Sequence, residues 1–318
     1  MVHRTSTSLS VLVAAALLIG GCGTSETTHV PDPVPGEQNL FDGLVFGSAD
    51  AFDIVTWNLE NFPANDANPP LSVKYAAHAV RAMDADLIAL QEIVSGTSFA
   101  ALLDSLPGWS GYRAVGAPYD QNLAYLWREA TVSVAVDPYT IYNGEYSAFP
   151  RRPLVLECSF AGQTLVIVNN HLKCCGDNVI DEEDEDDEEY RRRLAVGLLD
   201  TWIRVEHPGD AVIVLGDLND RLTDAPAANV FSVLLDAPGD YLFTDMSLAE
   251  GSSINWSFKY SSHIDHILVT DELFGHLAHA AAEVRTFHMD SYLESGWGEY
   301  ETNLSDHLPV GLKLPLAP

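Results

Sequence analysis

The chain has 318 residues, 47% hydrophobic and 19% charged, which is enough apolar matter for a large core and excludes wholesale disorder. Lys and Arg number 16 against 46 Asp and Glu, a formal net charge of -30. That balance excludes a protein that holds nucleic acid by unaided neutralisation of phosphates. It does not exclude an enzyme that meets phosphate through a metal ion.

His3 and Arg4 precede the apolar run Val11 to Ile19, too short for a spanning helix, which takes ~20 residues. The pair reads as a secretory signal. Ile19-Gly20-Gly21-Cys22 resembles a bacterial lipobox, in which the Cys is acylated and becomes the new N-terminus. An ordinary signal peptide with an incidental Cys is the other reading. On the lipobox reading residues 1–22 are signal, Cys22 is the lipidation site and the lipid bilayer is a partner. The protein then sits on the cell envelope, facing periplasm or exterior. Residues 23–50 are rich in Thr, Ser, Pro, Gly and Asp, with Pro31, Pro33 and Pro35 spaced by two, and predict a flexible tether. Residues 51–318 are expected to form one large domain and a monomer.

Phe52 to Trp57 is β-branched and aromatic and predicts a strand; Ser72 to Met83 has helical spacing; Asp86 to Gln91 is a second strand. Leu123 to Trp127, Thr131 to Val136, Leu154 to Phe160 and Leu165 to Asn170 are further strands. An acidic loop and a helix from Tyr190 to about Val205 come next. Ala211 to Leu215 is apolar and too short for a helix, and His263 to Val269 and Leu308 to Lys313 complete the strands. Many strands with few helices predict an α/β fold of two packed sheets with helices outside.

Polar residues cluster at the strand ends: Asn58, Glu60, Glu92, His171, Asp217, Asn219, Asp265, Asp306 and His307. If the carboxylates meet, two charges ~4 Å apart repel by ~4 kcal/mol at an effective dielectric near 20, and a counter-charge is needed. Oxygen donors suit Mg²⁺, Mn²⁺ or Ca²⁺ rather than zinc. Beside such an ion His307, oriented by Asp265, and His171 would hold phosphate or pass protons. Singly, each motif also occurs as an ordinary turn or strand end.

In order, Trp57-Asn58-Leu59-Glu60, Leu90-Gln91-Glu92, Asn170-His171-Leu172, Gly216-Asp217-Leu218-Asn219, Ile264-Asp265-His266 and Ser305-Asp306-His307 resemble the endonuclease/exonuclease/phosphatase superfamily. The resemblance implies the deoxyribonuclease-I-like fold, a four-layered α/β sandwich with two central sheets. It implies that Glu60, Glu92 and Asp306 are metal-site acids and that Asn58 supports metal or phosphate. His171 becomes a phosphate contact, Asp217 and Asn219 the pair that aligns water, and Asp265 the partner of His307. Arg151-Arg152-Pro153 resembles the family's Arg-x-Pro segment, which makes Arg151 a phosphate contact, with a surface arginine as the other reading. Where many members carry Arg two residues before the acid at Asp265, this chain has His263.

Cys158 and one of Cys174 and Cys175 are expected to form a disulfide in an oxidising envelope, a vicinal bridge being the alternative. Asp181 to Glu189 is an unbroken acidic run, read either as a solvated loop or as a weak Ca²⁺ site near His171. The activity expected is divalent-metal-dependent hydrolysis of a phosphoester substrate, by an extracytoplasmic nuclease. The alternatives are a phosphatase or phospholipid phosphodiesterase and, from another class, an inactive binding module on the same scaffold.

Overall fold

The computed structural model describes residues 38–316. Cys22, the signal sequence and residues 23–37 of the predicted tether lie outside the described residues. The strands are β1 (Phe52–Phe62), β2 (Leu87–Ile93), β3 (Trp109–Arg113), β4 (Asn122–Arg128), β5 (Val132–Val134), β6 (Tyr139–Thr140) and β7 (Leu154–Phe160). After them come β8 (Gln163–His171), β9 (Val212–Asp217), β10 (Tyr241–Phe243), β11 (Asp265–Thr270), β12 (Glu283–Thr286) and β13 (Val310–Leu314). The longer helices are α1 (Pro69–Met83), α2 (Gly96–Asp104) and α3 (Glu188–Glu206). One sheet has the order β12-β13-β1-β2-β4-β3, the other β10-β11-β9-β8-β7-β5, with β6 on β7. Both are mixed: β1 runs parallel to β2 and β8 parallel to β9, and the other pairings are antiparallel.

Alternation along β1 explains the layering. Phe52 and Ile54 point into the core between the sheets with Leu87, Leu156, Ile213 and Ile267, while Val55, Trp57 and Leu59 point out to α1 and α2. On the far side Val166, Val168, Val212 and Val214 pack under Val196, Leu199 and Ile203 of α3. A strand buried on both faces reads as a continuous apolar run, as Val212 to Leu215 does. Two sheets between two helical layers result.

A polar latch joins the sheets beneath the site. Gln91 Nε2 donates to Asn169 Oδ1 at 2.8 Å, and Asn169 Nδ2 donates to the carbonyls of Leu90 and Ala124, each at 3.0 Å. All three polar atoms are thereby satisfied in a region with no exposure, which fixes one sheet's register against the other.

Residues 39–47, placed in the predicted tether, pack against the domain instead. Phe41, Leu44 and Phe46 are buried in the core under α1, Leu40 N donates to His78 Nδ1 at 3.0 Å, and Gly47 N donates to the Met83 carbonyl at 3.0 Å. Burying two phenylalanines outweighs the local turn composition, so residues 39–47 belong to the domain. The expected disulfide is also absent: Cys158, Cys174 and Cys175 are free. Cys158 pairs with Leu165 at the end of β8 remote from His171, so ~20 Å of strand separates it from the start of the loop carrying Cys174. The acidic run is not wholly loop, because α3 begins at Glu188 and Asp187 caps it, accepting from Tyr190 N at 2.6 Å.

Candidate active site

Register places the polar strand ends side by side. Across β8, β9 and β11, His171 lies opposite Asp217 and Asp217 opposite Asp265. Gly216 makes this possible. It has φ +138° and a Cβ there would lie 1.9 Å from the Asn170 carbonyl oxygen, so the chain closes on its parallel neighbour only without a side chain. In the other sheet β1 slips against β2 after Asn58 and β2 slips against β4 after Leu90, and the irregular ends aim Glu60 and Glu92 into the same space. Glu60, Asn61, Glu92 and Asn219 all take left-handed backbone, with φ between 36° and 60°. Such backbone costs about 1–3 kcal/mol per residue and concentrates at functional positions.

The result is a cleft of about 920 Å³ across the sheet edges. Asn58, Glu60, Glu92, Arg151, His171, Asp217, Asn219, Asp306 and His307 all line it. Asp265 is fully buried behind them. Asn58 links the two halves, its Nδ2 lying 2.9 Å from Asp217 Oδ2 and 3.3 Å from Glu92 Oε1. Glu92 Oε2 accepts from Asn61 N at 2.9 Å, and Glu60 Oε2 accepts from Asp306 N at 3.1 Å. Asp217 Oδ1 accepts from Asn219 N at 3.1 Å, and Asn219 Nδ2 donates to the Leu172 carbonyl at 3.3 Å. His171 Nε2 stands 3.5 Å from Asp217 Oδ2 and 3.7 Å from Glu92 Oε1. Arg151 is no free surface arginine: it hydrogen-bonds Gln121 Oε1 and, at 3.3 Å, the Leu172 carbonyl.

The two histidines differ in charge. His307 Nδ1 is 2.7 Å from Asp265 Oδ2. Burial alone would lower its pKa, but the charge of Asp265, its hydrogen bond and the charges of Asp217 and Asp306 prevail and raise it to about 10. His171 is held well below its ordinary value by burial, and then by the positive charges of Arg151 and His307. At neutral pH His307 is therefore an imidazolium and His171 a neutral imidazole.

The carboxylates show the opposite strain. Burial, then the charge of Asp265, pushes Asp217 up to about 7; burial, then the charge of Asp306, pushes Glu60 up to about 7. Asp306 is raised as well, by burial first and by Glu92 among its neighbours. Asp265 Oδ1 and His171 Nδ1 are buried without a partner. Crowded anions with too little positive charge and an all-oxygen donor set fit a hard divalent cation, which Glu60, Glu92 and Asp306 could hold. Asp217, Asp265 and His307 also bring one ligand atom each within 4.8 Å of the others, and one atom of Asp265 and one of His307 are joined by their hydrogen bond.

Sequence reasoning missed the support behind this row. Asp245 Oδ2 accepts from His266 Nδ1 at 2.6 Å and from His263 Nε2 at 3.1 Å, and His266 Nε2 donates to the Asp220 carbonyl at 2.9 Å. Because both nitrogens of His266 face acceptors, both carry protons. Its pKa is raised, Asp245 outweighing burial, and that of Asp245 is lowered by the His266 charge against its own burial. His263, at the position where the resemblance implies an arginine, accepts from Ser257 N at 3.1 Å and braces Asp245 without lining the cleft. Arg192, buried, joins Asp220 Oδ2 at 2.8 Å and the carbonyls of Lys173 and Cys175 at 2.8 and 2.7 Å. No motif marked Asp245. Arg192 was hidden among Arg191 and Arg193, and only its place on the inner face of α3 separates it from them.

Residues 55–307 match the Endonuclease/Exonuclease/phosphatase family. No curated protein matches the sequence. Among solved structures, a humanized form of TDP2 from D. rerio superposes with a TM-score of 0.61 at 14% identity, covering 83% of this chain and 99% of that one. The human Nocturnin catalytic domain with bound sulfate gives 0.57 at 16% identity, covering 83% and 94%. An endonuclease/exonuclease/phosphatase from Bacteroides vulgatus gives 0.57 at 16% identity, covering 83% and 98%. At these identities the likenesses establish the fold, the four-layered sandwich.

Proposed function

Because the chain belongs to the endonuclease/exonuclease/phosphatase family and is thus a metal-dependent phosphoester hydrolase, we propose that it is an extracytoplasmic nuclease working with Mg²⁺. The observation that carries the reading is the convergence of Asn58, Glu92, His171, Asp217 and His307 on one cleft with His307 charged and His171 neutral. All the acid, amide and imidazole positions are filled, which weighs against an inactive binding module.

Glu60, Glu92 and Asp306 would hold the ion, which supplies neutralisation of charge on the phosphoryl group. Asp217, near neutrality in its pKa, and Asn219 align a water and Asp217 takes its proton. As the water oxygen bonds to phosphorus, the opposite P–O bond breaks and the imidazolium of His307 gives its proton to the departing oxygen. His171 Nε2–H and Arg151 donate to the non-bridging oxygens.

Two features favour a nucleotide over a lipid. Tyr119, 90% exposed, stands on the cleft rim beside Gln121 and Arg151, where a base could stack. TDP2 of D. rerio, which shares the fold, is known in complex with a single-stranded DNA product. The net charge of -30 favours the second reading, a phosphatase or phospholipid phosphodiesterase, because it disfavours long polyanions. Lipidation at Cys22, export to the envelope and a monomeric state belong to the same proposal.

A panel of single-stranded DNA, RNA, a sphingomyelin analogue and a phosphomonoester, each with Mg²⁺, tests it. Oligonucleotides should be the preferred substrates. Turnover confined to the lipid or the monoester would move the assignment to the second reading, and no turnover on any would support the binding module.

A further inference from the structure

Outside the hydrolytic centre, the loop between β8 and α3 forms one wall of the cleft through Cys174, Cys175, Gly176, Asp177 and Asn178. We propose that Asp177, Asp187 and Glu189 form a calcium site that fixes this loop against α3. The three residues bring one carboxylate oxygen each within 4.8 Å of the others. Oxygens that close can share one hard cation, and an irregular, partly exposed loop suits the flexible coordination of calcium better than the strict octahedron of magnesium.

An acidic cluster alone needs no ion, since exposed carboxylates are satisfied by water. Glu189 differs. It is 2% exposed, and its Oε2 is buried with no hydrogen-bond partner. An unpaired buried carboxylate oxygen costs several kcal/mol unless something positive meets it. Arg192 does not meet the need, for it lies 3.3 Å from Glu189 Oε1, the other oxygen, and binds Asp220 more closely at 2.8 Å. The group around Arg192 remains anionic by more than one charge.

Each of the three carboxylates spends one oxygen on the backbone and keeps the other. Glu189 Oε1 accepts from Asn178 N at 2.6 Å, Asp187 Oδ1 from Tyr190 N at 2.6 Å and Asp177 Oδ1 from Val179 N at 3.0 Å. Gly176, at φ +111°, passes so close that a Cβ would lie 2.2 Å from Glu189 Oε1. The loop is therefore folded onto the carboxylate. Water and loop carbonyls would complete the shell, giving affinity of ~10⁻⁴–10⁻³ M, as for partly exposed extracellular sites.

The test uses the full chain, stripped with EDTA and returned to excess Mg²⁺, titrated calorimetrically with CaCl₂. The comparison is the double variant Asp177→Asn, Asp187→Asn, which retains both backbone hydrogen bonds and removes two charges. The unmodified chain should bind one Ca²⁺ that the variant loses or binds ~10-fold or more weakly. Calcium should also slow tryptic cutting within residues 173–193 in the unmodified chain. Equal calcium binding by the two proteins, or tryptic cutting of the unmodified chain unaffected by calcium, would overturn the proposal. Neither readout depends on turnover, so it stands or falls apart from the nuclease reading.

Discussion

Replacing Asp265 by Asn removes one charge and little volume from the buried position behind His307. In the native protein the 2.7 Å contact raises the His307 pKa to about 10 against burial. From the ordinary 6.5 to about 10 corresponds to about 5 kcal/mol in favour of the imidazolium. Coulomb's law gives ~4 kcal/mol for charge centres ~4 Å apart at an effective dielectric near 20, so Asp265 accounts for most of it. Without that charge, burial draws the pKa back to ~7–8, with Asp217 and Asp306 retaining part of the elevation. The assay is kcat/KM for an aryl phosphodiester from pH 5 to 10.5 with saturating divalent cation. Above the acid limb set by Asp217 near 7, the native enzyme should keep its rate until pH approaches 10. The variant should lose it above ~7–8 and run roughly 4- to 30-fold slower at pH 8.5, the fall in the charged fraction of His307. Stability has the same sign: a raised folded-state pKa stabilises fully below 6.5, and the gain is lost as pH rises through about 10. A variant with native rate and an unmoved alkaline limb would refute the assignment of a charged His307.

Gly216→Ala forces a Cβ into the Asn170 carbonyl, and should cost about 3 kcal/mol or more, lowering Tm by roughly 5–10 °C; an unchanged melting curve would contradict the close approach. Without divalent cation the raised pKa values of Asp217 and Glu60 make stability fall as pH rises from ~4 through about 7, and a cation at ~100 times its Kd should restore about 2.7 kcal/mol at pH 7.5. Thermal denaturation with and without Mg²⁺ reads this, and no pH trend in the stripped protein would count against the crowded-anion account. Tyr119→Ala should raise KM for single-stranded oligonucleotides by ~5- to 100-fold, the worth of one base–aromatic stack, with kcat held; an unaltered KM would remove Tyr119 from the binding surface.

The sandwich and its cleft were legible where residue type and order agree. Val212 to Leu215, apolar and too short for a helix, reads as a buried strand, and Gly216-Asp217 at its end places the acid by backbone necessity. Short edge strands such as β10 and β12 were not legible, because three or four residues carry too little periodicity and their partners decide them. Residues 39–47 misled for a similar reason: turn-forming composition describes the local chain, while Phe41 and Phe46 respond to a core that α1 completes. Gln91 and Asn169 look like surface amides in sequence and become an inter-sheet latch only when two sheets face each other. Arg192 and His266 carry buried charges whose partners, Asp220 and Asp245, lie 28 and 21 residues away, distances at which no spacing rule operates.

These strand ends assemble a phosphodiester-cleaving centre dependent on a dication. Its most direct test is turnover of an aryl phosphodiester by EDTA-stripped protein during Mg²⁺ titration, with Glu92→Gln beside it. The account predicts no turnover in the stripped enzyme, saturable recovery with Mg²⁺, and a curve for Glu92→Gln displaced to ~10-fold or higher concentration. Full turnover in the stripped enzyme, or an undisplaced curve for Glu92→Gln, would contradict it.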